Sequence, residues 1–127
     1  MENFEIVKDP LPSEISKELT VLANNIMKLN KLVARYKMEA SLAKTATLRA
    51  EAKALITYKD EKNVSITKAM VASDSTVIGL QDKQNEAEAK LILATGELAA
   101  NEAQFTAVRK QAELKKLELQ SLGGTDI

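Results

Sequence analysis

The chain has 127 residues and no cysteine, no histidine and no tryptophan. Without thiols or imidazoles there can be no disulfide, no Cys- or His-based metal site, no Cys or His nucleophile–base pair and no dithiol redox motif. A cysteine-free composition fits a reducing compartment. Aromatic residues make up only 3% of the chain, and alanine is abundant. This balance favours closely packed helices over a sandwich or barrel. Both prolines, Pro10 and Pro12, fall near the start. No apolar run approaches the ~20 residues needed to cross a bilayer. The opening Met-Glu-Asn-Phe-Glu lacks the basic start and apolar core of a secretion signal. The expectation is a soluble, cytoplasmic, single-domain protein with no membrane partner and no cofactor.

What is present is periodicity. Ile15, Leu19, Leu22, Ile26, Leu29, Val33, Tyr36, Ala40, Ala43, Thr47, Ala50 and Ala54 form an unbroken 3–4 repeat, the seam of a coiled coil. A second, less regular seam runs through Leu80, Gln84, Ala87, Leu91, Ala94, Leu98, Asn101, Phe105, Val108, Ala112, Lys115, Leu119 and Leu122. The predicted fold class is all-α: two long antiparallel helices in a coiled-coil hairpin, with a short connecting helix, assembling into a multi-helix bundle.

Residues 1–12 read as an N-terminal arm, because Pro10 and Pro12 stop a helix from continuing through them. Ser13 is a good N-cap, and Glu14 and Glu18 suit the positive end of the helix that follows. The single helical-hairpin domain then spans 13–122. It comprises a helix over 13–60, a linker or short helix over 61–73 and a helix over 74–121, followed by a tail at 123–127. The linker sequence Asn63-Val-Ser-Ile-Thr67 alternates as a strand would, but a short helix is the favoured reading over a β-hairpin. Ser73 and Asp74 are natural caps for the last helix, although Gly79, where that helix enters its second turn, shifts the expected start toward Leu80, and Gly123-Gly124 is a stop signal. Gly96 costs ~1 kcal/mol relative to alanine within a helix, so it implies close approach of another helix or a slight kink.

Formal net charge is zero, and the charges are unevenly spread. Lys28, Lys31, Arg35, Lys37, Lys44, Arg49, Lys53 and Lys59 face only Glu39 and Glu51. Asp82, Glu86, Glu88, Glu97 and Glu102 face only Lys83 and Lys90. Antiparallel packing would lay these stretches alongside each other and partly neutralise them.

Lys28, Lys31 and Arg35 share one helix face and are the candidate contact for nucleic-acid phosphates or an acidic partner; a solvated face is the commoner meaning of such a stripe. No aromatic residue lies among them for base stacking, and Tyr36 falls on the seam. Asn101 and Lys115 sit at seam positions otherwise apolar, where a polar residue can set register and oligomeric state. Gln84 is expected to be solvated. The carboxylates form no enclosed pair for acid–base work, and no phosphate loop, Gly-x-Ser-x-Gly or metal-ligand spacing occurs, so no catalytic, cofactor or metal residue is assigned. The stretch Arg109–Leu119 is amphipathic but mixes charge signs, which suits a partner helix better than a membrane.

Apolar residues also lie outside both seams. Met38, Leu42, Leu48 and Leu55 on the first helix, with Ile92 and Leu93 on the last, are the expected oligomerisation residues, because a helix apolar on more than one face needs more than one neighbour. The competing expectation is that the linker and the arm cover these faces within one chain.

The stretches Lys62–Thr67, Ala72–Leu80, Ala87-Glu-Ala89, Phe105, Val108–Lys110 and Glu113–Leu122 resemble small all-helical proteins from the early region of temperate phages. The resemblance covers residues 30–122. It implies a non-enzymatic accessory or inhibitory role exerted by binding, in the host cytoplasm, on a host defence or DNA-processing factor or on a phage recombination protein. A DNA-binding replication or recombination accessory protein is the alternative, and an architectural or chaperone-like coiled coil the second. Prefoldin-type subunits share two long helices, but Val64–Thr67 and Thr76–Ile78 lack the glycine turn that their hairpins need.

Overall fold

The computed structural model describes residues 12–59 and 63–125. The order is α1 (Pro12–Thr57), α2 (Val64–Ser73) and α3 (Ser75–Thr125), with no strand among the described residues. The protein is all-α, with two long helices and a short connecting one. None of these helices is long and apolar enough to cross a membrane.

The observed ends differ from the expected ones in instructive ways. Helix α1 begins at Pro12 rather than being capped at Ser13. Proline is tolerated in the first helical turn, where its missing N–H has no intrahelical partner to lose. The arm at 1–11 lies outside the described residues. Helix α1 stops at Thr57, short of residue 60, and Tyr58 closes the last turn with its N–H on the Ala54 carbonyl at 2.9 Å. Residues 60–62, the last of the expected helix and the first two of the expected linker, also lie outside the described residues. Helix α3 runs through Gly123-Gly124 to Thr125 and ignores the expected stop. No described glycine takes a positive φ, so none makes the left-handed C-cap that would end a helix.

The connecting segment is helical because its polar residues serve as caps. The Asn63 carboxamide accepts the Ile66 N–H at 2.8 Å and opens α2. Asp74, in extended backbone, ends α2 with its N–H on the Val71 carbonyl at 3.2 Å. Its carboxylate then accepts the N–H groups of Thr76 at 2.9 Å and Val77 at 3.2 Å, and so opens α3. Asp74 is therefore the cap that the sequence indicates, whereas Ser73 turns its hydroxyl back to the Ala69 carbonyl within α2.

Two compact units divide the chain inside the long helices, at Asn30/Lys31 and Thr95/Gly96. In the first unit, Ile15, Leu22 and Val108 are buried, with Leu19, Phe105 and Ala112 against them. Rising numbers on α1 meet falling numbers on α3, with Ile15 near Ala112 and Leu119 while Leu29 lies near Glu97 and Asn101. The helices are antiparallel there. In the second unit, Ala54, Val71 and Val77 form the core, with Ala50 and Tyr58 packed on it. Here α2 supplies Val71 to the same core that α1 and α3 share.

Every position of the first seam, Ile15 to Ala54, is buried or half-buried. The second seam holds from Leu80 to Lys115 and then fails, since Leu119 and Leu122 are exposed. Ile15, the first seam residue of α1, lies beside Ala112 and Leu119 at that end of α3. Thr47, the buried polar seam residue, satisfies its hydroxyl on the Ala43 carbonyl at 2.9 Å.

Candidate functional site

Polar side chains converge at one place in the second unit. The Tyr58 hydroxyl donates to the Asp74 carboxylate at 3.0 Å, while the Tyr58 carbonyl accepts from the Thr67 hydroxyl at 3.4 Å. The Val77 N–H, the Tyr58 hydroxyl and the Thr76 N–H hold the Asp74 carboxyl below its ordinary range. Donation to that carboxylate, and its negative charge, push the Tyr58 phenol up. This junction ties the end of α1 to the α2–α3 corner. Its carboxylate is occupied by hydrogen bonds that hold structure.

The clefts are open and modest. One of about 220 Å³ in the first unit lies beside Ile15, Ala112, Lys115, Lys116 and Leu119. Another, of about 300 Å³ in the second unit, lies between Leu55, Lys68, Val71 and Gln81. Neither brings together a pair of carboxylates.

The candidate basic residues are all exposed, with Lys28 in the first unit and Lys31 and Arg35 in the second. Lys28 borders a cleft with Asn25, Leu29, Glu97 and Asn101. Arg35 pairs with Glu39 one turn on, at 3.2 Å. A further ion pair, Lys90 with Glu86 at 3.7 Å, is also within one helix. Among the described residues no ion pair joins the basic stretch to the acidic one, so the expected neutralisation does not take the form of salt bridges. Long exposed side chains gain little from such pairing.

The polar seam residues are satisfied locally. Asn101 donates to the Glu97 carbonyl at 2.8 Å, within α3, and so does not set register by a bond across the seam. Gln84 is half-buried rather than fully solvated and donates to Glu88 at 3.0 Å. Lys115 is half-buried at the first cleft. Tyr36 is half-buried on the seam. Among the described residues nothing lies within 4 Å of where a Cβ on Gly96 would stand, so no described helix makes the close approach expected there.

Met38, Leu42, Leu48 and Leu55 are 66, 64, 54 and 47% exposed, and Ile92 and Leu93 are 71 and 69% exposed. All six fall in the second unit. Counting heptads from the seam, the outward positions of α1 between 38 and 56 are Met38, Ser41, Leu42, Thr45, Leu48, Arg49, Ala52, Leu55 and Ile56, every one exposed. Arg49 is the one charge among them. The outward face of a two-stranded coil is ordinarily its most solvated surface and carries charge. Earlier on α1 the equivalent positions include Lys28, Lys31 and Arg35 and follow that rule. Met38, Leu42, Leu48 and Leu55, singled out by their spacing in the sequence, lie on this face.

Comparison with family models, with curated proteins and with solved structures finds no match.

Proposed function

We propose that this chain is a non-enzymatic accessory protein that acts by binding other proteins through bare helix faces, itself included. In keeping with the phage-type resemblance, its target is a host defence or DNA-processing factor, or a phage recombination protein, met in the host cytoplasm. The observation that carries the reading is the exposed, almost uncharged outward face of α1 from Met38 to Ile56. Leaving such surface in water is unfavourable by ~25 cal/mol per Å² of apolar area, and apolar surface at helical spacing suits a partner helix.

The test is capture from infected and uninfected host cells with the native chain and with a Met38→Glu/Leu42→Glu variant. The expected result is a partner retained by the native chain and lost with the variant. A partner held equally by both would sink the assignment to this face. A gel shift by the native chain that weakens steeply with salt and disappears in Lys28→Ala/Lys31→Ala would replace protein binding with nucleic-acid binding.

A further inference from the structure

We infer that the bare outward face of α1 pairs with the same face of a second copy, the two helices antiparallel about a two-fold axis level with Thr47. The inference rests on the reading that this face binds protein, and it names the occupant. A two-fold interface requires one patch to complement itself, and the charges beside this face do so. With the axis at Thr47, Met38 comes opposite Ile56 of the second copy, and Leu42 opposite its Ala52. Along one flank, Lys44 lies within a residue of the level of Glu51 of the second copy. Along the other flank, Glu39 lies within two residues of the level of its Lys53. Each pairing occurs twice by symmetry. At ~1.5 Å per residue the mismatches are about 1.5 and 3 Å, within the reach of these long side chains.

The same residues reject the parallel alternative. Lys31, Arg35 and Arg49 all occupy outward positions of the second unit. A parallel, in-register pair would set each against its own copy, three like-charge contacts in a row. The antiparallel pair moves the two Arg49 side chains about 6 Å apart along the axis and sends Lys31 and Arg35 to opposite ends, where Arg35 comes level with Lys59 of the second copy, two residues past the end of its α1. The contacts that Glu39 and Glu51 already make, with Arg35 at 3.2 Å and Gln81 at 3.3 Å, are exposed and cost little to share.

The apolar area is of the right order. Met38, Leu42, Leu48, Leu55 and Ile56 are between 47 and 67% exposed. Together they offer on the order of 500 Å², and their flanking neighbours bring the face toward the ~800 Å² per partner of a standard interface.

The absence of native cysteine makes site-specific labelling clean. Sedimentation equilibrium of the full chain should show a dimer at about 100 µM. Nitroxides on Ser41→Cys and, separately, on Arg35→Cys should give label-to-label distances that lengthen by about 18 Å from the first site to the second. Equal short distances at both sites would overturn the antiparallel alignment. Lys44→Glu should weaken the dimer about tenfold, and Lys44→Glu/Glu51→Lys should restore it. Failure of the double variant to rescue would overturn the charge pairing. A monomer at about 100 µM that keeps full helical circular dichroism would overturn self-pairing altogether. If that monomer still captured a face-dependent cellular partner, the broader binding reading would stand.

Discussion

The Asp74 carboxylate caps α3 through the N–H groups of Thr76 and Val77 and receives the Tyr58 hydroxyl from the end of α1. A carboxyl held below its ordinary pKa contributes stability that is fully present above the unfolded value of 3.8 and is lost as pH falls through the lower folded value. Tyr58 has the opposite sign. Its contribution is complete below 10.0 and disappears as pH rises through the raised folded value. Asp74→Asn should therefore melt below the native chain at pH 7, and the gap should narrow as pH is lowered past 3.8. A gap unchanged between pH 7 and pH 2.5 would mean that the carboxylate charge plays no part. Asp74 as a helix cap is legible from its place before Ser75. Its bond to Tyr58 is not, because nothing local relates residues sixteen apart.

At the scale of the element, the long helices follow their sequence spacing. The first seam stays covered along its whole length because the 3.5-residue repeat keeps one face toward the neighbour. The connecting segment is a case where strand-like alternation misleads. Val64, Ser65 and Ile66 are all exposed, and the Asn63 cap with the burial of Val71 selects the helix. Glycine signals mislead too. Gly96 sits within α3 with open space around its missing Cβ, and alanine should fit there without adjustment. Gly96→Ala is expected to raise stability by roughly 0.5–1 kcal/mol, read by urea denaturation, from the reduced freedom of the unfolded chain. A destabilised variant would mean that something occupies that space in solution.

At the scale of the whole molecule, stability rests on few buried side chains. Ile15 is 2% exposed in the first unit, and Val77 is 1% exposed in the second. Ile15→Ala should cost about 3 kcal/mol and Val77→Ala about 2 kcal/mol. Hydrogen exchange should locate the loss. Faster exchange is expected first at Ser16–Met27 for Ile15→Ala, and at Val71–Leu80 for Val77→Ala. Uniform acceleration along the chain in both variants would contradict two separate cores.

The sequence by itself determined the helices, both seams through Lys115 and the Asp74 cap, since these depend on spacing and on contacts within a few residues. It also determined which apolar residues the seams would leave over. Only the tertiary structure decided how long polar side chains are used. Tyr58 reaches Asp74, sixteen residues on, and Gln81 reaches Glu51, thirty residues back. Such side chains have several partners within reach, and the folded geometry selects among them. The tertiary structure likewise showed that α2 supplies Val71 to a core of its own unit while leaving Met38, Leu42 and Leu48 in water. Burial depends on what packs alongside, and ten residues of connecting helix can cover only the end of the unit that they touch.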